Sequence, residues 1–337
     1  MPLGFPPSGE FDLVRRILGA SLGLGSADFS GAVPADSRRL WLGAGDDCAQ
    51  FDGWLTTLDM SVEGTHFRLD WSSPEEAVAK CLLSNFSDIE AMGGTPRLAL
   101  LGLCLSRDWS SEVRLRVADA FARGFAERGV ALLGGDTVVG DQGAFSVTLL
   151  GTPGERRLLR SGARVGDDLY VAGSLGRSAA GLWLLSHHDA GESPWADELL
   201  RIHKVPEVAH GLGARLAAIP GMGACIDLSD GLSSELHHLA LSSGVRMRIE
   251  ENMIPVAPAV RAFCAARSLT ERSFWLHGGE EYRLLFSCAP TERIILSTLL
   301  QEGGLHRIGA VLPGDGVELL TADGRLETIE AGAWSHL

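Results

Sequence analysis

The sequence has few of the residues that build redox or zinc sites, and it has no long apolar run. Its 337 residues include six cysteines, which are widely spaced and form no CxxC pair. This pattern disfavours a zinc ribbon and favours reduced thiols. The start of the chain lacks a basic segment followed by an apolar one, and no apolar stretch reaches membrane-spanning length. We therefore expect a cytoplasmic protein with no membrane partner.

Positive charge is also scarce. Lys and Arg together number 29 against 43 Asp and Glu, which gives a net charge of −14. Binding to a nucleic-acid backbone requires clustered Lys and Arg, so nucleic acid is not an expected partner. Small phosphorylated ligands remain compatible with this charge, because divalent metals can bridge an acidic protein and a phosphate.

The common nucleotide-binding motifs are missing as well. The sequence has no GxxxxGK[ST] motif, no GxGxxG motif after a predicted strand, and none of the paired protein-kinase signatures. A zinc-protease HExxH helix is also absent. Any nucleotide site in this chain must therefore be built from other residues.

What the chain does have is a series of acidic residues beside glycines or apolar residues. The richest stretch runs from Leu42 to Phe67 and contains Asp46, Asp47, Asp59, Glu63 and His66. Further acids in similar settings are Asp88, Asp136, Asp227 and Asp230. A single Asp in a Gly-rich turn is usually a solvated loop residue. The recurrence of such acids instead favours a role as oxygen ligands for Mg²⁺, which substrate phosphates would also bind. The role of Glu63 stays open.

Burying such a set of charges without cations would be costly. Two unit charges about 5 Å apart repel by about 3 kcal/mol at an effective dielectric constant of 20. Either the acidic loops extend into water or cations lie among the side chains. The sequence alone leaves both arrangements possible.

Length and hydrophobic periodicity predict two α/β domains, residues 1–152 and 153–337, in a chain that is 45% hydrophobic. In the first, the spacing predicts one helix from Ser72–Pro74 to Gly93 and another from Ser110 or Ser111 to Glu127, with 134–137 as a turn. Residues 21–36 are expected to form a loop that could close over a substrate. In the second, 189–195 reads as a polar insert, and a strand over 224–228 precedes a helix over 232–241.

Eight motifs in order resemble the thiamine-monophosphate kinases, in the superfamily of aminoimidazole ribonucleotide synthetase and selenophosphate synthetase. They are GEFDLVRRI, GAGDDCA, TTLDMSVEGTHF, KCLLSNFSDIEAMGGTPR, LLGGDT, RSGARVGDDLYVAGSLG, CIDLSDGL and HGGEEYRLLF. The resemblance implies a two-domain α/β (α+β) fold whose N-terminal sheets join across a homodimer. It also implies ATP-dependent phosphorylation of thiamine monophosphate to thiamine diphosphate, with several Mg²⁺ ions.

The same resemblance implies a site. The metal ligands would be Asp47, Thr57, Leu58, Asp59, Asp88, Asp136, Asp227 and Asp230. ATP would contact Gly135, Asp136, Arg160 and Ser229, and the thiamine substrate would contact His66, Glu280 and Trp334. No residue is expected to form a covalent intermediate or act as a strong base, because phosphoryl transfer depends mainly on alignment and charge neutralisation.

Four departures from the family pattern affect this expectation. Leu58 replaces a common Ser or Thr, so only its carbonyl could bind a metal, and Met60 replaces a frequent Thr. Glu281 replaces an Asp, and the C-terminal signature near Trp334 is only loosely kept. Two other readings stay open beside the kinase. One is a sister enzyme that activates an oxygen or forms a phosphorus–selenium bond, and the other is a noncatalytic nucleotide-and-metal sensor.

Overall fold

The computed structural model describes residues 40–42, 45–189 and 193–332. Two sequence predictions lie outside these ranges: the loop over residues 21–36, and Trp334 as a substrate contact. Within the described ranges, no helix is both long and apolar enough to cross a membrane.

The first half of the chain forms a six-stranded sheet in the order β1-β2-β3-β6-β4-β5. All neighbouring strands are antiparallel except β4 and β5, which are parallel. The strands are β1 (Leu40–Leu42), β2 (Ala49–Phe51), β3 (Trp54–Val62), β4 (Gly94–Ser106), β5 (Ala131–Gly140) and β6 (Ala144–Pro153).

Two helices cover one face of this sheet, α1 (Pro74–Ala91) and α2 (Ser111–Glu127). Both begin as the sequence predicts. Ser73 caps α1 in a capping box with Glu76, and the hydroxyl of Ser110 accepts the amide hydrogen of Val113 at the start of α2. Side chains that alternate along the strands pack beneath them, including Leu55, Phe145, Val147 and Leu149.

The prediction of a turn at residues 134–137 was wrong. Strand β5 runs straight through this segment and pairs with β4 along its whole length, with a register irregularity at Leu100. Gly135 permits the pairing, because a Cβ atom there would lie 1.8 Å from the carbonyl oxygen of Leu101. The glycines therefore allow close strand approach here, which from sequence alone looks the same as a turn.

The second half forms a seven-stranded sheet in the order β13-β12-β9-β11-β7-β10-β8, in which only β9 and β12 are parallel. Its strands are β7 (Asp168–Ala172), β8 (Met222–Asp227), β9 (Arg246–Glu250), β10 (Leu284–Cys288), β11 (Leu305–Leu312), β12 (Val317–Leu320) and β13 (Leu326–Thr328). Its helices are α3 (Arg177–Ser186), α4 (Pro194–Lys204), α5 (Leu212–Ala217), α6 (Leu232–Ser243), α7 (Pro258–Arg267), α8 (Glu271–His277) and α9 (Arg293–Gly303).

Helix α4 replaces the end of the predicted polar insert. It begins at Pro194, where proline is well tolerated, and it buries Ala196, Leu199 and Ile202. Ala196 and Leu199 join the cluster around Phe263, so packing within the second half stabilises a segment whose sequence appears polar. The insert prediction was therefore wrong from Pro194 onward.

Helix α1 connects the two halves. The carboxylate of Glu90, which is 2% exposed, accepts the amide hydrogens of Gly211 and Gly213 at 2.6 and 2.8 Å. Closer to the middle of α1, the hydroxyl of Ser87 donates to Asp227 Oδ2 at 2.6 Å. One face of α1 thus packs on the first sheet and its other edge borders the second half, which positions the cleft described next.

Candidate active site

A cleft of about 1410 Å³ lies along α1 and is lined by residues from both halves of the chain. Of the residues that the sequence analysis assigned to a site, it contains Asp47, Thr57, Leu58, Asp59, His66, Asp88, Arg160, Asp227, Ser229, Asp230 and Glu280. Residues far apart in the sequence therefore converge in one place. Of the assigned residues that the structure describes, Gly135 and Asp136 are not among those lining the cleft.

At the centre of the cleft, three carboxylates meet. One oxygen each from Asp47, Asp88 and Asp227 lies within 4.8 Å of the others. Asp47 precedes β2, Asp88 lies in the last turns of α1, and Asp227 is the final residue of β8. A loop, a helix and a strand end thus supply one acid each.

Burial makes it unfavourable for these three acids to be charged together. It raises the pKa of Asp47 despite the nearby Arg160, and it raises the pKa of Asp227 to about 8, with a further contribution from Asp47. Burial also raises the pKa of Asp88 well above its usual value, and Asp59 and Asp227 add to the effect. Such a set is either partly protonated or neutralised by bound cations.

The donor atoms match a hard divalent cation. They are carboxylate oxygens without a His or Cys partner, and Oδ2 of Asp47 is buried with no hydrogen-bond donor. A buried carboxylate oxygen without a donor is costly, and a cation ligated there would remove that cost. Oxygen-only sites of this kind suit Mg²⁺.

Strand β3 adds further oxygen atoms beside this cluster. Thr57 Oγ1 donates a short hydrogen bond to Asp88 Oδ2, and the amide of Asp59 donates to Asn85 Oδ1 at 3.3 Å. Burial raises the pKa of Asp59 as well. Leu58 lies between Thr57 and Asp59, so its side chain points to the other face of β3, and the residue is 57% exposed. Only the main chain of Leu58 can therefore face the acids.

Arg160 is held by two neighbouring acids. Its amide nitrogen donates to the carboxylate of Asp46, at 3.2 and 3.1 Å from the two oxygens, and its side-chain Nε donates to Asp47 Oδ1 at 3.0 Å. Burial, followed by the charge of Asp47, raises the pKa of Asp46 to about 7. The guanidinium is thereby fixed at the edge of the acidic cluster, in a position to meet a phosphate.

Ser229 and Asp230 lie in the turn between β8 and α6 and are oriented by a buried acid. Glu235 Oε1 accepts the amide hydrogen of Asp230 at 2.8 Å and the hydroxyl of Ser229 at 3.4 Å. Burial, followed by the charge of Asp230, raises the pKa of Glu235 well above its usual value. Sequence analysis did not single out Glu235, which acts on the site through these two neighbours.

Asp136 lies away from this cluster within the single chain. It is exposed on the edge strand β5, in the same cross-strand row as Gly102, Ser146 and Met60. Strand β5 is three strands from β3, a distance of about 14 Å at the usual spacing. Met60 is on the outer face of β3 and Asp59 on the helix-covered face, so Asp136 shares the face opposite to that of Asp59.

The two described residues assigned to the thiamine substrate do come close together. Val62 donates its amide hydrogen to His66 Nδ1 at 3.0 Å, so the neutral ring carries its proton on Nε2. Lys80 Nζ lies 3.2 Å from the carbonyl oxygen of His66 and 2.7 Å from Glu280 Oε1. Gly332 also lines the cleft, so the chain reaches it two residues before Trp334.

Sequence analysis missed the polar groups around Glu280. Lys80, Ser178 and His203 all line the cleft, and His203 Nδ1 lies 3.2 Å from Ser178 Oγ and 3.6 Å from Glu280 Oε2. Burial, followed by the charge of Lys80, lowers the pKa of His203 to about 4. One signal was available: Lys80 opens the KCLLSN motif.

Two residues whose roles were in question have structural partners. Glu63 Oε1 accepts the indole hydrogen of Trp109 at 3.3 Å, and its Oε2 accepts the amide hydrogen of Gly143 at 3.1 Å. Glu281 Oε1 accepts the amide hydrogen of Ser178 in the first turn of α3 at 3.1 Å. Neither residue lines the cleft.

Comparison with known families gives two matches that together span most of the chain. The N-terminal domain of AIR synthase related proteins matches residues 45–152, and the C-terminal domain of the same proteins matches residues 164–321. The two matched regions correspond to the six-stranded and seven-stranded sheets, apart from β1, β13 and short flanking segments.

Individual relatives point to one activity. The thiamine-monophosphate kinase of Mycobacterium tuberculosis is 38% identical over 254 residues, which cover 72% of this chain and 74% of that protein. The thiamine-monophosphate kinase of Corynebacterium glutamicum is 31% identical over 333 residues, 96% of this chain and 92% of that protein. A solved structure of AaThiL complexed with AMPPCP and TMP superposes with a TM-score of 0.81 at 28% identity, and covers 99% of this chain and 100% of that one.

Proposed function

The chain belongs to the AIR synthase related family and, within it, to the thiamine-monophosphate kinases, and on that premise we propose the reaction that it catalyses. It transfers the γ-phosphate of ATP to thiamine monophosphate, giving ADP and thiamine diphosphate. The observation that carries this proposal is the convergence of Asp47, Asp88 and Asp227 beside Arg160 in one large cleft. The biosynthetic role agrees with the cytoplasmic location expected from the sequence, which stays a prediction.

Several Mg²⁺ ions are proposed as the cations of this cleft. The ligands are the carboxylates of Asp47, Asp59, Asp88, Asp227 and Asp230, the hydroxyl of Thr57 and the carbonyl of Leu58. The unpartnered Oδ2 of Asp47 and the raised pKa values of the buried acids support this assignment. Bound there, Mg²⁺ supplies charge neutralisation for the phosphates of both substrates.

The transfer is proposed to be direct and in line. A phosphate oxygen of thiamine monophosphate forms the new bond to the γ-phosphorus, and the bond from that phosphorus to the β-γ bridging oxygen breaks, leaving its electron pair on ADP. The attacking oxygen is already ionised at neutral pH, so no side chain has to remove a proton. The residues of the cleft hold the two phosphates in line, with Arg160 and Ser229 on the ATP side.

The substrate side of the cleft is proposed to lie around His66 and Glu280, with Trp334 completing it. His66 offers its Nε2–H, and Glu280 offers a carboxylate. Along α3 the wall becomes apolar and aromatic, with Leu182 and Trp183 lining the cleft. A charged phosphate ester with a flat heteroaromatic end matches this change from acidic to aromatic walls.

A homodimer is part of the proposal, because the single chain leaves an apolar surface uncovered and keeps one assigned acid away from the cleft. Large apolar side chains are exposed on the outer face of β3, β4 and β5: Leu58, Met60, Leu100 and Val138. A second copy packed on this face would bury them, and it would bring its own Gly135 and Asp136 near the cleft of the first. In this arrangement the segment Gly134–Asp136, called the GGD segment below, contributes to the ATP site of the partner.

The experiment that tests the function combines thiamine monophosphate, ATP and Mg²⁺ with the protein and follows the phosphates by phosphorus NMR. ADP and thiamine diphosphate should appear in equal amounts. ATP that binds but stays intact would instead indicate a sensor. Transfer to other acceptors, with thiamine monophosphate untouched, would indicate a sister enzyme. The Asp88→Asn variant is the matched control for contaminating kinases.

A further inference from the structure

Lysine is very rare in this chain, and both lysines lie in the cleft. Only Lys80 and Lys204 occur among the 29 basic residues, the other 27 being arginine. Both lysines line the cleft. The ammonium group therefore occurs in this chain only at the cleft, where its small size and three donors differ from the planar fork of an arginine.

Lys80 connects the two residues assigned to the substrate side. Its side chain is 8% exposed, and its Nζ lies 2.7 Å from Glu280 Oε1 and 3.2 Å from the carbonyl oxygen of His66. His66 follows β3 in the first half of the chain, and Glu280 precedes β10 in the second half. A single buried ammonium therefore fixes the position of Glu280 relative to the loop that carries His66.

The main chain around Glu280 is held in an unusual conformation. Glu280 and Tyr282 have φ angles of 59° and 49°, in the left-handed region that favours glycine. Their amides donate to the carbonyl oxygens of Ser229 and Leu228 at 2.6 and 2.8 Å. Strained residues held in place by their surroundings occur preferentially at functional sites. This loop therefore fixes the main chain of Glu280, while the contact with Lys80 fixes its carboxylate.

Lys80 is also correctly spaced along α1. Lys80, Ser84 and Asp88 follow each other at four-residue intervals, so they lie on one ridge of the helix, and all three line the cleft. The rise of a helix separates Lys80 from Asp88 by about 12 Å. Phosphates at the acid cluster would leave the far end of an extended two-ring substrate beside Lys80 and Glu280.

We propose that Lys80 is a positioning residue for substrate recognition, which holds the Glu280 carboxylate in place so that Oε2 accepts a hydrogen bond from the amino-substituted heterocycle of the substrate. This inference rests on the proposed kinase function. Oε1 is bound to Lys80, whereas His203 Nδ1 lies 3.6 Å from Oε2, beyond hydrogen-bond distance. Oε2 therefore keeps its capacity to accept a hydrogen bond from a ligand.

The groups that face Glu280 also predict a pH signature. Burial alone would raise the pKa of Glu280, but Lys80, His203 and His66 hold it below its usual value. Without the lysine charge, burial raises the pKa of Glu280, and the pKa of His203 rises too, because Lys80 lowers it. Glu280 and His203 together then take up a proton as the pH falls. A proton on Glu280 removes its carboxylate as a hydrogen-bond acceptor, and a proton on His203 makes Nδ1 a donor that competes with the substrate for Oε2.

The test is steady-state kinetics of Lys80→Met, Lys80→Arg, Glu280→Gln and the Lys80→Met/Glu280→Gln double variant. Lys80→Met should raise the KM for thiamine monophosphate about tenfold, roughly 1.4 kcal/mol, with the KM for ATP nearly unchanged. Its KM for thiamine monophosphate should fall more steeply than that of the wild type as the pH rises, and Lys80→Arg should restore the wild-type pH profile. In the double variant, the lysine change should add little to Glu280→Gln.

Arg116→Met is the control. It breaks the ion pair, at 2.7 Å, between Arg116 of α2 and Glu75 of α1, the helix that also carries Lys80, and neither residue lines the cleft. Equal losses for both substrates with a lowered melting temperature, or full additivity in the double variant, would overturn the inference. A wild-type protein without any kinase activity would instead refute the proposed function. The two failures can therefore be told apart.

Discussion

Ser87 and Asp227 are 140 residues apart in the sequence, yet the hydroxyl of Ser87 donates to Asp227 Oδ2 at 2.6 Å. The bond joins α1, which packs on the first sheet, to the end of β8 in the second. Ser87 directly precedes Asp88, which belongs to the same acid cluster as Asp227. The two halves of the chain must therefore be docked before the cluster exists, and relative motion of the halves would change its geometry.

Asp88→Asn should reduce turnover at least a hundredfold without lowering the melting temperature of the metal-free protein. Asp88 is pushed toward protonation by burial and by three neighbouring acids, so removing its charge relieves repulsion, whereas a ligand for the cation is lost. Activity at fixed Mg²⁺ and thermal melts check both parts. Asp141→Asn, which removes an exposed acid 3.2 Å from Arg107, is the control. Normal turnover would exclude Asp88 from the site.

Stabilisation by Mg²⁺ should be larger near pH 8.5 than near pH 6. In the folded protein the pKa of Asp46 is raised to about 7 and that of Asp227 to about 8, above the value of 3.8 for an unperturbed Asp. Below these raised values the metal-free folded protein binds more protons than the unfolded chain, so its stability falls as the pH rises through them. Protons and Mg²⁺ compete for the carboxylate oxygens of Asp227, and a proton on Asp46 would be displaced only through the charge of Mg²⁺ bound at the adjacent Asp47. Melting temperatures with and without Mg²⁺ at both pH values measure the difference, and an equal gain at both would contradict the prediction.

Asp136→Asn and Asp88→Asn, each inactive alone, should complement each other when mixed. If the partner's GGD segment completes each cleft, a mixed dimer has one site with both acids intact. Random pairing then restores about a quarter of the wild-type activity. The assay follows activity after the two variants are unfolded together and refolded. No recovery, in a sample that contains mixed dimers, would mean that Asp136 acts within its own chain or not at all.

Glu90→Gln should destabilise the protein by about 1–3 kcal/mol, because Glu90 is buried and its two oxygens accept the amide hydrogens of Gly211 and Gly213. An amide side chain can accept only one of these bonds. Glu90 does not line the cleft, so the KM values of the folded variant should stay close to those of the wild type. Urea unfolding measures the loss, and unchanged stability would show that these bonds contribute little.

Much of this protein was accessible from its sequence. The family and the two-part α/β fold were predicted from ordered motifs, and both were confirmed by the family matches and the structural superposition. Helix α1 was predicted nearly to its ends, because a hydroxyl cap, a proline and a glycine stop are local signals. The domain boundary and the ligand roles of the assigned residues stay predictions.

The predictions that were wrong, and the site residues that were missed, depended on packing between segments distant in the sequence. The glycines of residues 134–137 look like a turn locally, but they pair with β4 as a strand. Helix α4 forms because Ala196 and Leu199 pack against side chains of other helices. The polar environment of Glu280 was missed for the same reason, since Lys80 and His203 come from two other helices.

The sequence by itself determined which side chains are present, where the capped helices α1 and α2 begin, and that acids recur beside glycines, because these depend on neighbours a few residues away. Only the tertiary structure decided which of those acids share a cleft and which, like Asp136, do not. Distances between segments depend on how sheets and helices dock, and no local pattern encodes them. A carboxylate becomes part of a cation site only when burial and other acids make its bare charge costly, and both conditions arise from docking.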